Sequence, residues 1–380
     1  MLWNKKIKIK EIKLKITKIP GCGRFGVFID DVDFNNITDE EWMEIGKIHL
    51  KELVTIIRGT NFEDVSHYTR FMKKWGRDRF STYAIFRERY PHWDGRAQTA
   101  LSDPLWSVED RMCLEEFIRV KEWNNKEQAD IIKVSGEKTP DGKPLGMFAE
   151  GELLWHSNES GNIAFSPGVA LLGWKGTTES STGFLTTVDY YESVSESFRS
   201  ELDEMICIHN FTPGKINPGL RDIQDNVMYK NMAPHKDEEI PMVITSPGGH
   251  TGLHYSFNTV TGIKGMSQHE ADVLLTKIRE DLCKPEYIYD HWYQQDKDLC
   301  LFDNSITQHR RQGSTDGRLC YRFQYDYTGL QDGKPWMPYR QQPYIDRYID
   351  TISAYVKVIG INEFLVPKKE DYAKKEKEQA

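Results

Sequence analysis

Seven short β-rich runs limit what this chain can fold into. They are "LVTIIRG", "ADIIKV", "GVALLGW", "GFLTTVDY", "MVITS", "LCLFDN" and "LCYRFQYDY". Each has a strand's length and is rich in β-branched and aromatic residues, and long polar connections separate them. Helix signals stand apart from the runs. Thr38 with Glu41 makes a capping box, with Ile37 and Trp42 as its hydrophobic staple. A second helix is predicted from about Glu63 to Trp75, stopping at Gly76. Ser193 with Glu196 is predicted to open a third, and Ser267 with Glu270 a fourth. Strands in series with helices set aside suggest a β-sandwich or barrel core decorated by helices. Ten tryptophans, 18 tyrosines and 17 phenylalanines supply the bulk for a sizeable core.

The ends and loops have a simpler character. Lysines near the start alternate with Ile7, Ile9, Ile12, Leu14 and Ile16, which predicts a lysine-protected edge strand with a phase slip at Lys10–Glu11. "GEKTPDGKPLG" (136–146) is dense in turn residues and predicts a hairpin tip. The stretch from Phe86 to about Gln128 is polar and aromatic-rich, and fits a lid or an ordinary surface insertion equally well. The tail "PKKEDYAKKEKEQA" is charged and low in apolar content, as a frayed helix or a disordered segment would be.

The formal charge of −8 makes a general nucleic-acid binder a poor expectation. No run approaches the roughly 20 apolar residues that span a bilayer, and the N-terminus lacks a signal peptide's apolar block. Cys22, Cys113, Cys207, Cys283, Cys300 and Cys320 form no C-x-x-C pair. Buried thiols in a reduced, cytoplasmic setting are the expectation. The sequence leaves a homo-oligomer open.

Two of eleven histidines stand out. His156 ends the apolar run of "LLWHSNESGN", and His309 ends "LCLFDNSITQH". They lie 153 residues apart, so only a fold can join them. Arg318 and Arg322 follow in "RLCYR", four residues apart and therefore on one face of a strand. "HTGLH" (His250, His254) has helical ligand spacing, but Gly248, Gly249 and Gly252 argue for a turn. Trp155 is expected in the core, Cys320 as a packed thiol, and Asp303 and Asn304 as turn-forming groups that support the site.

"WHSN", "FDNSITQH" and "RLCYR", in that order, resemble the taurine dioxygenase (TauD/TfdA-like) family of non-haem iron(II), 2-oxoglutarate-dependent oxygenases. That family shows a W-H-x-D element, a D-N-x-x-x-x-H element and an R-x-x-x-R element. "FGVFIDDVDF", "LVTIIRGTNF", "FMKKWGR" and the stretch 241–278 resemble it as well, so the likeness runs from about Gly26 to Tyr327 with an insertion at 86–147. It implies a mainly β fold with flanking helices around a double-stranded β-helix (jelly-roll) core, as one domain over 1–345 with a helical or disordered tail over 346–380. It implies an oxygenase that hydroxylates a small, anionic or zwitterionic molecule with dioxygen. Two histidines and one carboxylate on one face of iron(II) leave three positions for cosubstrate and dioxygen. By the same resemblance His156 and His309 are metal ligands, Arg318 holds the far carboxylate of 2-oxoglutarate, and Arg322 faces an anionic substrate group.

The chain departs from that pattern twice. Asn158 stands where the family has its carboxylate, and Glu159 comes one position late. On an extended strand His156 and Asn158 share a face and Glu159 points away. The alternatives are an amide oxygen as a weak third ligand, Glu159 brought in by a local twist, or a degraded iron site in a protein that binds without turnover. A halide ligand, as in related halogenases, would need a small residue at 158, and asparagine fills that space. The second departure is at the family's cosubstrate threonine. Leu185 stands there, with Thr186 beside it as the candidate for that contact.

Overall fold

The computed structural model describes residues 14–78, 86–87, 89–121, 131–210, 237–359 and 366–372. Its strands are β1 (Lys15–Lys18), β2 (Val27–Asp30), β3 (Val54–Ile57), β4 (Ile132–Ser135), β5 (Leu153–His156), β6 (Gly168–Lys175), β7 (Ser180–Thr186) and β8 (Ile206–His209). They continue with β9 (Glu238–Pro241), β10 (Val243–Thr245), β11 (Thr251–Leu253), β12 (Val260–Ile263), β13 (Ile288–Trp292), β14 (Leu299–Asp303), β15 (Thr307–Gly313) and β16 (Leu319–Tyr325). A seven-stranded sheet has the order β1-β2-β3-β14-β6-β16-β4, and a four-stranded sheet the order β13-β7-β15-β5. The pairings are antiparallel except β2 with β3. β8, β9 and β12 make a third, small sheet, and β10 and β11 a hairpin. This is the jelly-roll core with flanking helices that the sequence led us to expect.

The central strands of the large sheet read as continuous apolar runs because both of their faces are covered. Leu299 and Leu301 of β14, with Ala170 and Leu172 of β6, pack outward on Trp42, Ile45, Tyr68, Phe71 and Trp75. Cys300 and Phe302, with Val169 and Leu171, point inward to Leu153 and Phe184 of the four-stranded sheet. The helices Asp39–Glu52 and Val65–Met72 form the outer cover. The first opens on the expected capping box: Glu41 N–H donates to Thr38 Oγ1, and Thr38 N–H to the Glu41 carboxylate. The second is shorter than expected, capped by Asp64 and ending at Met72. Trp42 and Trp75 stack at 4.3 Å between ring centres and lock the two helical segments together.

Several expectations are corrected. Ser195, not Ser193, caps the helix Glu196–Glu204, through its hydroxyl on Phe198 N–H; Ser193 ends the preceding helix Val188–Ser193. The boundary at 345 falls inside the helix Gln342–Ile359. Ile345, Tyr348, Ile349 and Ile352 of that helix pack with Ile163, Phe165, Trp336 and Tyr339, so it belongs to the core. The insertion carries helices Ala97–Ser102 and Val108–Val120 and a small core of its own, from Phe86, Trp93, Trp106, Leu114 and Phe117. The stretch 136–146 is a hairpin, with Lys138 and Pro144 bridged. The alternation before Leu14, the Lys10–Glu11 slip and most of 210–240 fall outside the described residues. Among the described residues no helix is long and apolar enough to cross a membrane, and all six cysteines are free thiols.

Gly46 lies in the middle of the first helix, where alanine is ordinarily favoured by about 1 kcal/mol. Here a Cβ would meet Leu330 Cδ2 at 2.6 Å and Trp75 Cε2 at 3.0 Å. Overpacking of this kind costs about 1–3 kcal/mol. Gly46→Ala is therefore expected to lower the thermal midpoint, and an unchanged or raised midpoint would show that Leu330 gives way freely.

Candidate functional site

The site begins with a fault in strand pairing. β15 pairs with β5 so that His309 faces His156 and Arg311 faces Leu153. Two steps on β15 thus match three on β5, which is a β-bulge. The bulge turns both Leu153 and His156 toward the space between the sheets, although their odd spacing would separate them on a regular strand. Leu154 is left outside, 47 % exposed. Its carbonyl accepts a hydrogen bond from His156 Nδ1 at 2.7 Å. With Nδ1 carrying the proton, the lone pair of His156 lies on Nε2. The two imidazole rings are 4.1 Å apart between centres, and Phe302 packs on His309 at 4.6 Å. Burial pushes the His156 pKa down to about 4. Burial and then the neighbouring His156 hold His309 well below its ordinary value. Both rings are neutral at pH 7, the form that ligates metals.

Beyond His156 the strand ends and the chain turns, with Glu159 in the left-handed region at φ 58°. The strand ends at His156 and the turn begins at Asn158, so the shared strand face expected for His156 and Asn158 does not continue to Glu159. Asn304 holds the turn in place. Its Oδ1 accepts from Asn158 N–H at 2.8 Å, and its Nδ2 donates to the carbonyls of Asn158 at 2.8 Å and Ser166 at 2.9 Å. Asp303, beside it, accepts from the backbone N–H groups of Ser305 and Ile306; burial raises its pKa to about 6.

The side chains of Asn158 and Glu159 both meet β16. Arg322 Nη1 donates to Asn158 Oδ1 at 3.1 Å, and Gln324 Nε2 donates to Glu159 Oε1 at 2.5 Å. Arg322 and Gln324, two residues apart, share a strand face. Glu159 Oε2 also accepts from Ser166 N–H at 3.0 Å, and Ser166 Oγ donates to Asp78 at 2.8 Å. Burial, then the charge of Asp78, raises the Glu159 pKa to about 8. Its carboxyl is thus committed to Gln324 and Ser166. Among the described residues no three His, Cys, Asp or Glu side chains come together as a metal site.

His156, His309, Arg311, Arg318 and Arg322 line one cavity between the sheets, with Phe148, Thr182 and Phe302. Arg318 is 1 % exposed. Its Nε donates to Ser180 Oγ at 2.9 Å, while its buried Nη1 has no hydrogen-bond partner. Thr186 lies elsewhere: it is fully buried and donates to the Cys22 carbonyl at 3.3 Å. Thr182, four residues earlier on β7, is the threonine that lines the cavity, and its hydroxyl meets Tyr293 Oη at 3.0 Å. Sequence reasoning missed it: Thr182 and Thr186 share a face of β7, and the bond of Arg318 to Ser180 is what favours the nearer one. His250 bonds the Lys51 carbonyl and His254 the Ser305 carbonyl, so they do not converge. Trp155 is buried under the Arg310 guanidinium, and Cys320 is packed among apolar neighbours.

The two facing neutral imidazoles suit a divalent first-row cation, while Asn158, bonded through Oδ1 to Arg322, is not among the described residues that line their cavity. The orphaned donor of Arg318 suits a carboxylate.

Solved structures share this architecture. One, of AAD-2 in complex with Mn(II) and N-oxalylglycine, superposes with a TM-score of 0.56 at 17 % identity over 83 % of this chain and 97 % of that one. A putative alpha-ketoglutarate-dependent taurine dioxygenase from Burkholderia xenovorans gives 0.54 at 20 % identity, over 82 % and 92 %. A taurine dioxygenase from the same organism gives 0.53 at 16 % identity, over 90 % and 98 %. At these identities the likeness establishes the fold. Residues 15–324 match the family described as "Taurine catabolism dioxygenase TauD, TfdA family", and the chain belongs to that family.

Proposed function

We propose that this protein is a 2-oxoglutarate-dependent oxygenase with iron(II) held by His156, His309 and the amide oxygen of Asn158. One observation carries this reading: two neutral histidines face one another across β5 and β15 in a cavity that also contains the buried, partly unsatisfied Arg318. The neighbour that carries Mn(II) with N-oxalylglycine, a 2-oxoglutarate analogue, supports the same pairing of metal and dicarboxylate.

Each residue has a distinct task. His156 presents Nε2 because Leu154 fixes the proton on Nδ1. Arg318 forks onto the distal carboxylate of 2-oxoglutarate, where Thr182 adds a hydroxyl. Arg322, already bonded to Asn158, faces an anionic group of the substrate. The phenyl walls of Phe148 and Phe302 exclude water and strengthen these charge-assisted bonds. The bound metal, with 2-oxoglutarate and dioxygen, supplies the oxidising chemistry that hydroxylates a C–H bond. Small anionic or zwitterionic molecules are the substrate class that Arg322 selects. A second reading, ligand binding without turnover, draws on the neutral residue at 158. Formation of succinate from 2-oxoglutarate with iron(II) and dioxygen separates the two: an oxygenase makes it, and a binding protein does not.

His309→Ala is expected to abolish that succinate formation, because a site already short of a carboxylate loses a nitrogen ligand. Turnover at the native rate would remove His309 from the metal centre. Arg318→Ala is expected to weaken 2-oxoglutarate by about 2–5 kcal/mol, tens- to thousands-fold, through loss of a buried charge-assisted contact. Arg322→Ala should weaken it less. Titration of both variants at saturating metal tests the order, and the reverse order would exchange the two roles. Glu159→Gln should leave metal affinity within about twofold by the same titration, since its carboxyl bonds Gln324 and Ser166. Loss of the metal in this variant would make Glu159 the third ligand.

A further inference from the structure

A second pair of buried histidines is not used by the site above. His209 ends β8 and His254 follows β11, and each is 1 % exposed. Their ring centres stand 5.7 Å apart, with the planes 31° from parallel. Phe165 stacks on the His254 ring at 4.5 Å and holds it in place. Burial keeps both rings neutral at pH 7, pushing the pKa of His254 down to about 4 and that of His209 well below its ordinary value.

The hydrogen bonds around the pair fix both tautomers. His254 Nδ1 meets the Ser305 carbonyl at 2.8 Å, and a carbonyl only accepts, so Nδ1 carries the proton. For His209 the proton follows from a chain of hydroxyls. Ser160 Oγ donates its single hydrogen to the Ser157 carbonyl at 3.0 Å. The 3.0 Å bond between Ser160 and Thr259 is therefore donated by Thr259. Thr259 Oγ1 is then left to accept from His209 Nδ1, at 3.1 Å. Both rings thus present a bare Nε2, and neither Nε2 has a hydrogen-bond partner. A neutral imidazole anchored through Nδ1–H, with its Nε2 lone pair free, is the form in which histidine ligates a metal.

The spacing agrees with a shared ion. A nitrogen stands about 1.1 Å from its ring centre and about 2.0–2.1 Å from a bound metal, so two imidazoles on one ion in a tetrahedral or trigonal arrangement have ring centres about 5–6 Å apart. The 5.7 Å between His209 and His254 falls in that range. We propose that His209 and His254 form a second metal site, independent of the oxygenase reading above, which takes monovalent copper through the two Nε2 atoms. Two features select this ion. Among the described residues no third His, Cys, Asp or Glu joins the pair; zinc ordinarily takes four ligands, whereas monovalent copper is satisfied by two or three. Both ligands are neutral and buried, and the cost of desolvating an ion rises with the square of its charge, so a monocation enters at a fraction of the cost of a dication. Imidazole is a good ligand for copper.

The test uses the full-length protein with His309→Ala as background, which disables the histidine pair of the first site. Cu(I) is titrated without oxygen in competition with bicinchoninate, whose copper complex is coloured. The His309→Ala protein should take up a single equivalent of Cu(I), and adding either His209→Gln or His254→Gln should weaken that uptake by about 100-fold. X-ray absorption at the copper edge, on the His309→Ala protein with one equivalent bound, needs no further substitution and should show nitrogen neighbours without sulfur. Equal Cu(I) affinity with and without the second substitution, in proteins that are folded by circular dichroism, overturns the proposal. Sulfur in the copper shell overturns it as well, by assigning the ion to the free thiols. Zn(II) held at the same pair as tightly as Cu(I) overturns the choice of a monovalent ion. None of these results bears on succinate formation by the native protein, so the oxygenase reading stands or falls separately.

Discussion

The antiparallel pairing of β15 with β5, bulged by one residue, is the constraint on which the rest of the site depends. Regular pairing would send either Leu153 or His156 to the outer surface. The bulge keeps both inside, exposes Leu154 in their stead, and places the Leu154 carbonyl where it fixes the tautomer of His156. It also ends the strand at the residue where the chain must leave. From there the turn through Glu159 carries Asn158 and Glu159 to β16, and Asn304 grips the turn by both the N–H and the carbonyl of Asn158. A fully buried asparagine with three such bonds is costly to replace, because any smaller side chain leaves buried backbone groups unmet.

The second fixed element is β16, which acts as a ruler across the cavity. Arg318 precedes it, and Arg322 and Gln324 lie along it on one face. The large sheet can hold these polar groups in place because its other face is sealed by Trp42, Trp75 and their neighbours. Phe323 and Tyr325, alternating with Arg322 and Gln324, are buried in that outer layer. The same two-residue period thus serves a tightly packed exterior and a charged interior. The helices that buttress the sheet lie far from the chemistry in sequence, yet they set the strand on which the arginines stand.

Much of this was legible in the chain. The apolar runs of β6 and β14 announce strands covered on both faces, the capping boxes at Thr38 and Ser267 announce helix starts, and the spacing of Arg318 and Arg322 announces a shared face. What was not legible depends on geometry that residue types leave open. Nothing in "LLWHSN" signals a bulge, and a glutamate with positive φ is uncommon enough that extended backbone is the default. Thr186 and Thr182 have the same parity on β7, so alternation alone could not say which one reaches the arginines; that is decided by which end of the strand lies against Ser180 and Arg318. Two serines two residues apart, Ser193 and Ser195, each have capping chemistry, and the contact of Ser195 with Phe198 N–H settles between them. The helix Gln342–Ile359 did carry a signal, apolar residues at 345, 348, 349 and 352, which its charged continuation obscured.

Asparagine at 158 changes what Arg322 can do. Opposite an aspartate, the guanidinium would spend its charge on an internal ion pair and could turn only a residual field toward a ligand. Opposite an amide it keeps its orientation, through the 3.1 Å bond to Oδ1, with no negative charge at position 158 to pair with. Orientation and neutralisation are thus separated at one position: the amide aims the arginine without cancelling it. In the proposed site a carboxylate at that place would serve the metal, and an amide the anion. In the proposed oxygenase, the same replacement that weakens the protein's own hold on a cation would favour anionic small molecules, because both effects would follow from removing a single negative charge beside Arg322.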